Sequence, residues 1–178
     1  MKKQIIIATL ALGAFVIGTN NIQAQTATTT VNITLNDVIS IDAGSIAIGG
    51  AVDFNYITAE DYNTSKTAIV PTSLIVTSTK NFDVKVKADG ANFTNGSNNI
   101  PVNVLIIKAA TGGSMAGTQN SIVLSDSDQV LIANAPLGSA LTLNLDYTIP
   151  ATKSSSSDIL GKPAGTYTQT VTYTATAL

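Results

Sequence analysis

Polar and apolar residues alternate along much of the chain after residue 25. Val31, Ile33 and Leu35 are separated by asparagine and threonine, and segments 82–87 and 141–148 repeat the pattern. Side chains of a β-strand point alternately to opposite faces, so this pattern predicts strands with one buried and one solvated face. Helical spacing is nearly absent, and one helical turn is predicted at residues 58–62, with Thr58 as its cap.

Two segments, 100–110 and 129–133, are apolar on both faces and favour central strands covered on each side. Turn-forming pairs such as Asp89-Gly90 and Asn95-Gly96 separate the runs, and the serines at 154–157 indicate a surface loop. About eight to ten short strands with regular turns are typical of a sandwich. We therefore predict an all-β fold, a single immunoglobulin-like antiparallel β-sandwich over residues 25–178, with a barrel as the alternative.

The final residues, GTYTQTVTYTATAL at 165–178, carry threonine at every second position. Threonine is β-branched and tolerates water, which predicts a long strand with a solvated threonine face and an opposite face turned to a core. A flat threonine array of the ice-binding kind is the alternative, but that mechanism needs several such strands side by side. The outward set is Thr166, Thr168, Thr170, Thr172, Thr174 and Thr176.

The chain begins MKKQIIIATLALGAFVIGTNNIQAQ, in which two lysines precede an apolar run at residues 5–17. A polar stretch then leads to the small residue Ala24. This layout predicts a cleaved secretory signal peptide at residues 1–24, and a retained anchor is the alternative. We expect a bacterial exported protein in the periplasm, at the cell surface or outside the cell, with no transmembrane segment in the mature chain.

Composition restricts the chemistry that the protein can perform. The formal net charge is −2, and arginine, histidine, cysteine and tryptophan are all absent. Without a basic patch we expect no nucleic-acid partner, and without His or Cys we expect neither a zinc or copper site nor a Ser-His dyad. We predict that the protein is not an enzyme and has no cofactor.

Weaker chemical alternatives remain in the sequence. A serine could pair with Lys66, Lys80 or Lys108, and acidic pairs occur at 60–61 and at Asp126 and Asp128. The last two carboxylates could bind calcium, although a solvated turn is the simpler interpretation.

The C-terminal sequence KPAGTYTQTVTYTAT resembles the closing strand of the spore-coat-U-like secreted β-sandwich proteins, which include subunits of archaic chaperone–usher pili. The likeness lies in Ala164, Gly165, Tyr167 and the alternation that follows, and the early segment TTTVNITLNDVISI is also similar. The resemblance implies a fimbrial structural or adhesion subunit that borrows a strand from a neighbouring copy and has a periplasmic chaperone as partner. Those pilins often carry a disulfide, which this chain cannot form.

If the resemblance holds, residues 25–35 are a donor strand that presents Val31, Ile33 and Leu35 to a neighbour's groove. The alternative is that they form the first strand of their own sandwich. A different function is also compatible with the sequence: a monomeric secreted or envelope-associated module that binds sugar or another surface ligand. The aromatic residues nominated for that role are Tyr56, Tyr62 and Phe93.

Overall fold

A computed structural model describes residues 25–178. The predicted signal peptide at residues 1–24 lies outside the described residues. The chain divides into two units, residues 1–34 and 35–178. In the described part of the first unit, residues 25–34 carry no strand or helix and every residue is exposed.

The second unit is built almost entirely of β-strands. A 3₁₀ turn at Ala59–Tyr62, a second at Val102–Val104 and one short helix, α1 (Ala151–Ser154), interrupt them. The strands are β1 (Ile39–Ile41), β2 (Lys66–Ser78), β3 (Phe82–Ala88), β4 (Asn92–Asn95), β5 (Asn98–Pro101), β6 (Ile106–Ala110), β7 (Thr118–Gln119), β8 (Ile122–Val123), β9 (Gln129–Ala135), β10 (Gly138–Ile149) and β11 (Val171–Ala177).

All strand pairs are antiparallel, which confirms the all-β prediction. One sheet has five strands in the order β1-β2-β10-β6-β8, and a second has four in the order β11-β3-β9-β7. Strands β4 and β5 form a separate hairpin. Within residues 25–178, no helix is long and apolar enough to span a membrane.

Both sheets contribute to one hydrophobic core. Along β3, Phe82, Val84 and Val86 are completely buried, and along β10 so are Leu143 and Leu145. In each strand these residues alternate with more exposed polar ones, as the sequence pattern predicts. Burying side chains of this size contributes roughly 1.5–3 kcal/mol each, so these alternating positions dominate the stability of the fold.

A bulge in β2 changes which side chains face the core. The pairing of β2 with β10 shifts between Leu143 and Leu145, and opposite this point Thr72 has a φ of 51°. The Asn144 side-chain oxygen accepts a hydrogen bond from the Thr72 N–H at 2.8 Å. Past the bulge Ser73 and Leu74 are both buried, which breaks the alternation and brings a serine hydroxyl into the interior.

The structure differs from the sequence-based expectations at four places. No strand forms over residues 31–36, segment 100–110 is broken by the turn at Val102–Val104, and the C-terminal strand begins only at Val171. The serine-rich segment is not simply a surface loop, because α1 ends at Ser154 and this serine is completely buried. The predicted turn after Thr58 is confirmed.

Candidate functional site

Strand β11 pairs on one side only. It lies at the end of its sheet, hydrogen-bonded to β3, and no strand of residues 25–178 pairs with its other edge. Its inward side chains Val171, Tyr173 and Ala175 are only partly buried. The segment before it is joined to β4 by two backbone hydrogen bonds between Thr94 and Thr168, at 2.9 and 3.1 Å. These bonds also lie on the β3 side, and β1 lies near β11 without a ladder between the two strands.

A second open backbone faces this edge. Residues 51–57, called the rim segment below, form no strand, and among residues 25–178 the N–H groups of 51–56 have no hydrogen-bond acceptor. Val52, Phe54 and Tyr56 are half-buried, whereas the residues between them are exposed. The rim segment therefore has the side-chain alternation of a strand without a neighbouring strand to pair with.

Hydrogen bonds to side chains, rather than backbone hydrogen bonds to a neighbouring strand, hold the rim segment in place. The Tyr56 hydroxyl is hydrogen-bonded to the buried Ser154 hydroxyl at 2.9 Å. Burial raises the pKa of Tyr56, and this hydrogen bond partly offsets the increase. Because Ser154 belongs to α1, the bond ties the rim segment to an element far away in sequence.

A carboxylate fixes the end of the rim segment. Asp61 accepts hydrogen bonds from the Ile57 N–H at 2.9 Å and the Thr58 N–H at 2.7 Å, and its carboxylate is 2.5 Å from the Lys66 ammonium. The Lys66 ammonium, followed by these backbone donors, lowers the pKa of Asp61 well below its usual range. The sequence predicted Thr58 as the cap, but its hydroxyl donates to Asp61 at 3.0 Å, and the Asp61 carboxylate accepts the backbone N–H groups instead.

Between the rim segment and the C-terminal residues lies an elongated groove. One part encloses about 400 Å³ and is lined by residues 46–54 on one side and 166–171 with Tyr173 on the other. The other part encloses about 420 Å³ between residues 52–57 and 162–167. Both parts are lined by Phe54, Phe93, Leu105 and Tyr167, so they adjoin each other.

The first part is lined by Tyr147 and Tyr173, among others, and is called the hydroxyl end. The hydroxyls of Tyr147 and Tyr173 are hydrogen-bonded at 2.7 Å, which joins β10 of one sheet to β11 of the other. Ser73, buried by the β2 bulge, lines the same part and donates to the Val70 carbonyl at 2.9 Å. Burial raises the pKa of both tyrosines, so both are neutral hydrogen-bonding groups at physiological pH.

The second part contains the packed pair Tyr56 and Tyr62 and is called the aromatic end. Tyr56 and Tyr62 pack with ring centroids 5.0 Å apart, and the Lys66 ammonium lies 5.7 Å from the Tyr56 ring centroid. Phe93 lines the same part of the groove, so the structure brings together the three aromatics that the sequence nominated for ligand binding. The remaining floor consists of buried aliphatic side chains: Val104, Leu105, Ile149 and Ile159.

The predicted donor face is exposed. Val31, Ile33 and Leu35 have 77%, 80% and 86% of their surface accessible. It is unusual in a folded protein for three successive apolar side chains on one face of an alternating segment all to be this exposed. No strand pairs with residues 25–38 in the described chain.

The lysines considered for catalysis are all paired with carboxylates. The ammonium groups of Lys66, Lys80 and Lys108 lie 2.5, 2.6 and 3.4 Å from aspartate oxygens. Among residues 25–178, no group of three or more acidic residues is arranged to hold a metal ion. Asp128 lies 3.7 Å from the Lys87 ammonium in an exposed turn.

The threonine face of β11 points outward, as the sequence predicts. The neighbouring strand β3 does not extend it with further threonines, because Asp83, Lys85 and Lys87 are the register partners of Thr176, Thr174 and Thr172. The outer face is therefore one threonine row beside a charged row, which lacks the repeated threonine strands that ice binding requires.

Sequence reasoning missed several parts of the site. The alternation of Val52, Phe54 and Tyr56 was visible in the sequence and could have predicted the rim segment. Nothing local links Ser154 to Tyr56 or Tyr147 to Tyr173, since each pair is made by distant segments.

Comparison with models of known protein families gives no match for this chain, and comparison with curated proteins gives none either.

Proposed function

We propose that the protein is an exported structural subunit that assembles with other copies of itself by strand donation. In this proposal the two sheets form an immunoglobulin-like sandwich that lacks one strand, and residues 25–35 of a second copy complete it. Residues 1–24 act as a cleaved signal peptide, and the function involves neither catalysis nor a cofactor. The resemblance to the spore-coat-U-like proteins and pilus subunits is consistent with this role.

The observation that carries the proposal is the open groove between two unpaired backbones. An extended segment in the groove would accept and donate hydrogen bonds along residues 166–173 and, on its other side, along the rim segment. Strand addition of this kind derives affinity from main-chain hydrogen bonds and specificity from alternate side chains in pockets. The groove floor supplies such pockets, because it is lined by apolar side chains that the sheets leave partly exposed.

The chain also contains a segment that fits the groove. Residues 26–35, TATTTVNITL, contain neither proline nor glycine, and at about 3.3 Å per residue they span about 33 Å when extended. Residues 166–173 of the groove wall span about 26 Å on the same basis. Transfer of Val31, Ile33 and Leu35 from water into the groove would contribute roughly 1.5–3 kcal/mol for each side chain.

Assembly is tested by comparing the chain that starts at residue 25 with one that starts at residue 36. We expect the longer chain to form ladders on an unheated SDS gel and polydisperse particles by light scattering, and the shorter chain to be a monomer. The matched variants are Ile33→Asp and Asn32→Asp, which place the same charge on opposite faces of the segment. Ile33→Asp should abolish the ladder and Asn32→Asp should retain it. A longer chain that stays monomeric at high concentration would rule out strand donation between copies.

A second candidate function is the binding of a sugar or another surface ligand by a monomer. It is favoured by one observation, the position of Tyr56, Tyr62 and Phe93 around the aromatic end. The two tyrosine rings pack against each other and Tyr56 is bonded to Ser154, so core packing already accounts for much of their surface. Saturable glycan binding by the chain that starts at residue 36, reduced by Phe93→Ala, would favour this function over assembly.

A further inference from the structure

Residues 25–35, called the donor segment below, join the sheets at the turn between β2 and β3. Just after them, the Val38 carbonyl accepts a hydrogen bond from the Thr79 N–H at 2.9 Å, and the Val38 N–H donates to the Thr79 hydroxyl at 2.9 Å. The Asp37 carboxylate lies 2.6 Å from the Lys80 ammonium. These contacts fix Asp37 and Val38, together called the anchor, to the end of β2.

Strand β1 continues from the anchor toward the groove. It pairs antiparallel with β2, from Ile39 opposite Ser78 to Ile41 opposite Val76. Rising residue number therefore leads along β2, away from the turn and toward the bulge. Followed in the other direction, from Ile41 back to Val38, the chain moves away from the groove.

Strand β2 measures the distance from the anchor to the groove. Of the β2 residues that line the groove, Ser73 is the nearest to the anchor. Thr79 comes six residues after Ser73, which corresponds to about 20 Å at 3.3 Å per residue. Because Val38 is bonded to Thr79, the hydroxyl end of the groove begins roughly 15–20 Å from Val38.

The other wall of the groove gives a similar distance. The Leu178 N–H donates to the Asn81 carbonyl at 2.8 Å, so Leu178 lies at the same turn as the anchor. Tyr173 is the groove-lining residue nearest to this turn along β11, and it lies five residues before Leu178, or about 17 Å away. Both walls therefore leave a gap of roughly 15–20 Å between the anchor and the groove.

The donor segment is too closely tethered to cross this gap and fill its own groove. An extended chain spans at most about 3.3–3.6 Å per residue. Leu35 comes three residues before Val38 and can lie at most about 11 Å from it, and Ile33 at most about 18 Å. The groove wall at residues 166–173 is itself about 26 Å long. Val31, Ile33 and Leu35 therefore cannot occupy that groove together.

We propose that the anchor keeps the donor segment out of its own groove, so that only a second copy of the chain can fill it. This inference rests on the proposed function and specifies which copy supplies the strand. A tethered ligand within reach of its site has an effective concentration in the millimolar range, whereas a tether too short to span the distance gives one near zero. The short connection between Leu35 and the anchor thus favours binding between copies over binding within one.

A longer connection should reverse this preference. The test inserts a flexible Gly-Ser linker of about 20 residues between Asn36 and Asp37 of the chain that starts at residue 25. Such a linker has a root-mean-square length of about 22–27 Å, which is enough to cross the gap. At about 10 μM subunit, a millimolar effective concentration favours filling of the chain's own groove roughly 100-fold. We expect a monomer by light scattering and no ladder on an unheated SDS gel.

The matched control carries the same linker before Gln25, where it leaves the connection between Leu35 and the anchor unchanged. We expect this control to form the same ladder as the parent chain without a linker. A difference between the two insertions therefore reports on reach and not on the linker itself.

Urea denaturation distinguishes a filled groove from a linker that merely blocks assembly. We expect the lengthened chain to unfold at a higher urea concentration than the chain that starts at residue 36, because its groove is occupied. In the lengthened chain, Ile33→Asp should remove this gain and Asn32→Asp should retain it, since only Ile33 is on the apolar face of the donor segment.

The contrary results separate this inference from the proposed function. If the parent forms ladders and the lengthened chain forms them equally well, the role of the anchor is overturned and strand donation between copies stands. The same holds if the lengthened chain is a monomer without added stability. A parent chain that forms no ladder overturns both proposals, and a fall in its urea midpoint with Ile33→Asp would then identify filling of its own groove.

Discussion

Strands β3 and β11 are neighbours with the same alternation but very different burial. The inward side chains of β3 are 0–1% exposed, whereas those of β11 are only partly buried, although the two strands are paired from Val171–Ala88 to Ala177–Phe82. Strand β3 has a partner on each side, while β11 has one. Alternation thus determines which face a side chain takes, and the number of neighbouring strands determines how deeply it is buried.

The rim segment, unlike β3 and β11, has no ladder hydrogen bonds to a neighbouring strand. It alternates as β3 and β11 do, but its position depends on Tyr56, Ser154 and Asp61 rather than on a neighbouring strand. Ladder hydrogen bonds therefore decrease from two sides in β3 to one in β11 and none in the rim segment. The groove lies between the rim segment and residues 162–173, where the proposed donor strand would lie.

The largest effect is expected from removing β11. Deletion of residues 165–178 should prevent folding, because it exposes the side of β3 on which Val84 and Val86 depend for burial. The measurement is circular dichroism with size-exclusion chromatography. Deletion of residues 25–34 is the matched control at the other terminus and should retain the β-sheet signal. A soluble deletion variant lacking 165–178 with a native spectrum would contradict the prediction.

Matched core substitutions should reproduce the difference between the two strands. Val86→Ala removes buried methyl groups and leaves a cavity, which should lower the free energy of unfolding by about 2–3 kcal/mol. Val171→Ala removes the same atoms from a half-exposed position and should cost about 1 kcal/mol or less. Urea denaturation of the chain that starts at residue 36 measures both. Equal losses of unfolding free energy in the two variants would show that the groove is closed in solution.

A smaller effect is expected at the rim segment. Ser154→Ala removes the hydrogen-bond partner of Tyr56 and should lower the free energy of unfolding by about 1 kcal/mol. Because this bond partly offsets the effect of burial, the same change should raise the pKa of Tyr56 further, which ultraviolet titration can detect. The exposed Ser157→Ala is the control and should alter neither quantity. An unchanged tyrosine titration in Ser154→Ala would contradict a hydrogen bond between Tyr56 and Ser154.

The smallest effect is a dependence on acid pH. Because the pKa of Asp61 is lower in the folded protein than its ordinary value of about 3.9, its stabilising contribution is complete above that value and is lost as the pH falls below it. Unfolding free energies measured from pH 7 to pH 3 should therefore decrease less steeply in Asp61→Asn than in the parent chain. Asp126→Asn, in an exposed turn, should lose unfolding free energy with falling pH as steeply as the parent chain. Identical acid slopes for Asp61→Asn and the parent would exclude this role.

Much of the fold follows from local pattern. The alternation in 82–87 and 141–148 predicts β3 and β10, and Thr58 predicts the turn that follows it, because side-chain direction and capping are determined over a few residues. The strand predicted at 31–36 did not form, although its alternation is as regular. A strand needs a partner, and the described chain offers that segment none.

The sequence by itself determined an all-β chain, the faces that alternating residues take in β3 and β10 and an amphipathic pattern at residues 31–35. Only the tertiary structure decided which edges remain open, since strand order depends on contacts between distant residues. It also decided that a bulge buries Ser73, that Ser154 holds Tyr56 and that Tyr147 meets Tyr173. These features lie between elements rather than within them, and for that reason no local pattern could predict the groove.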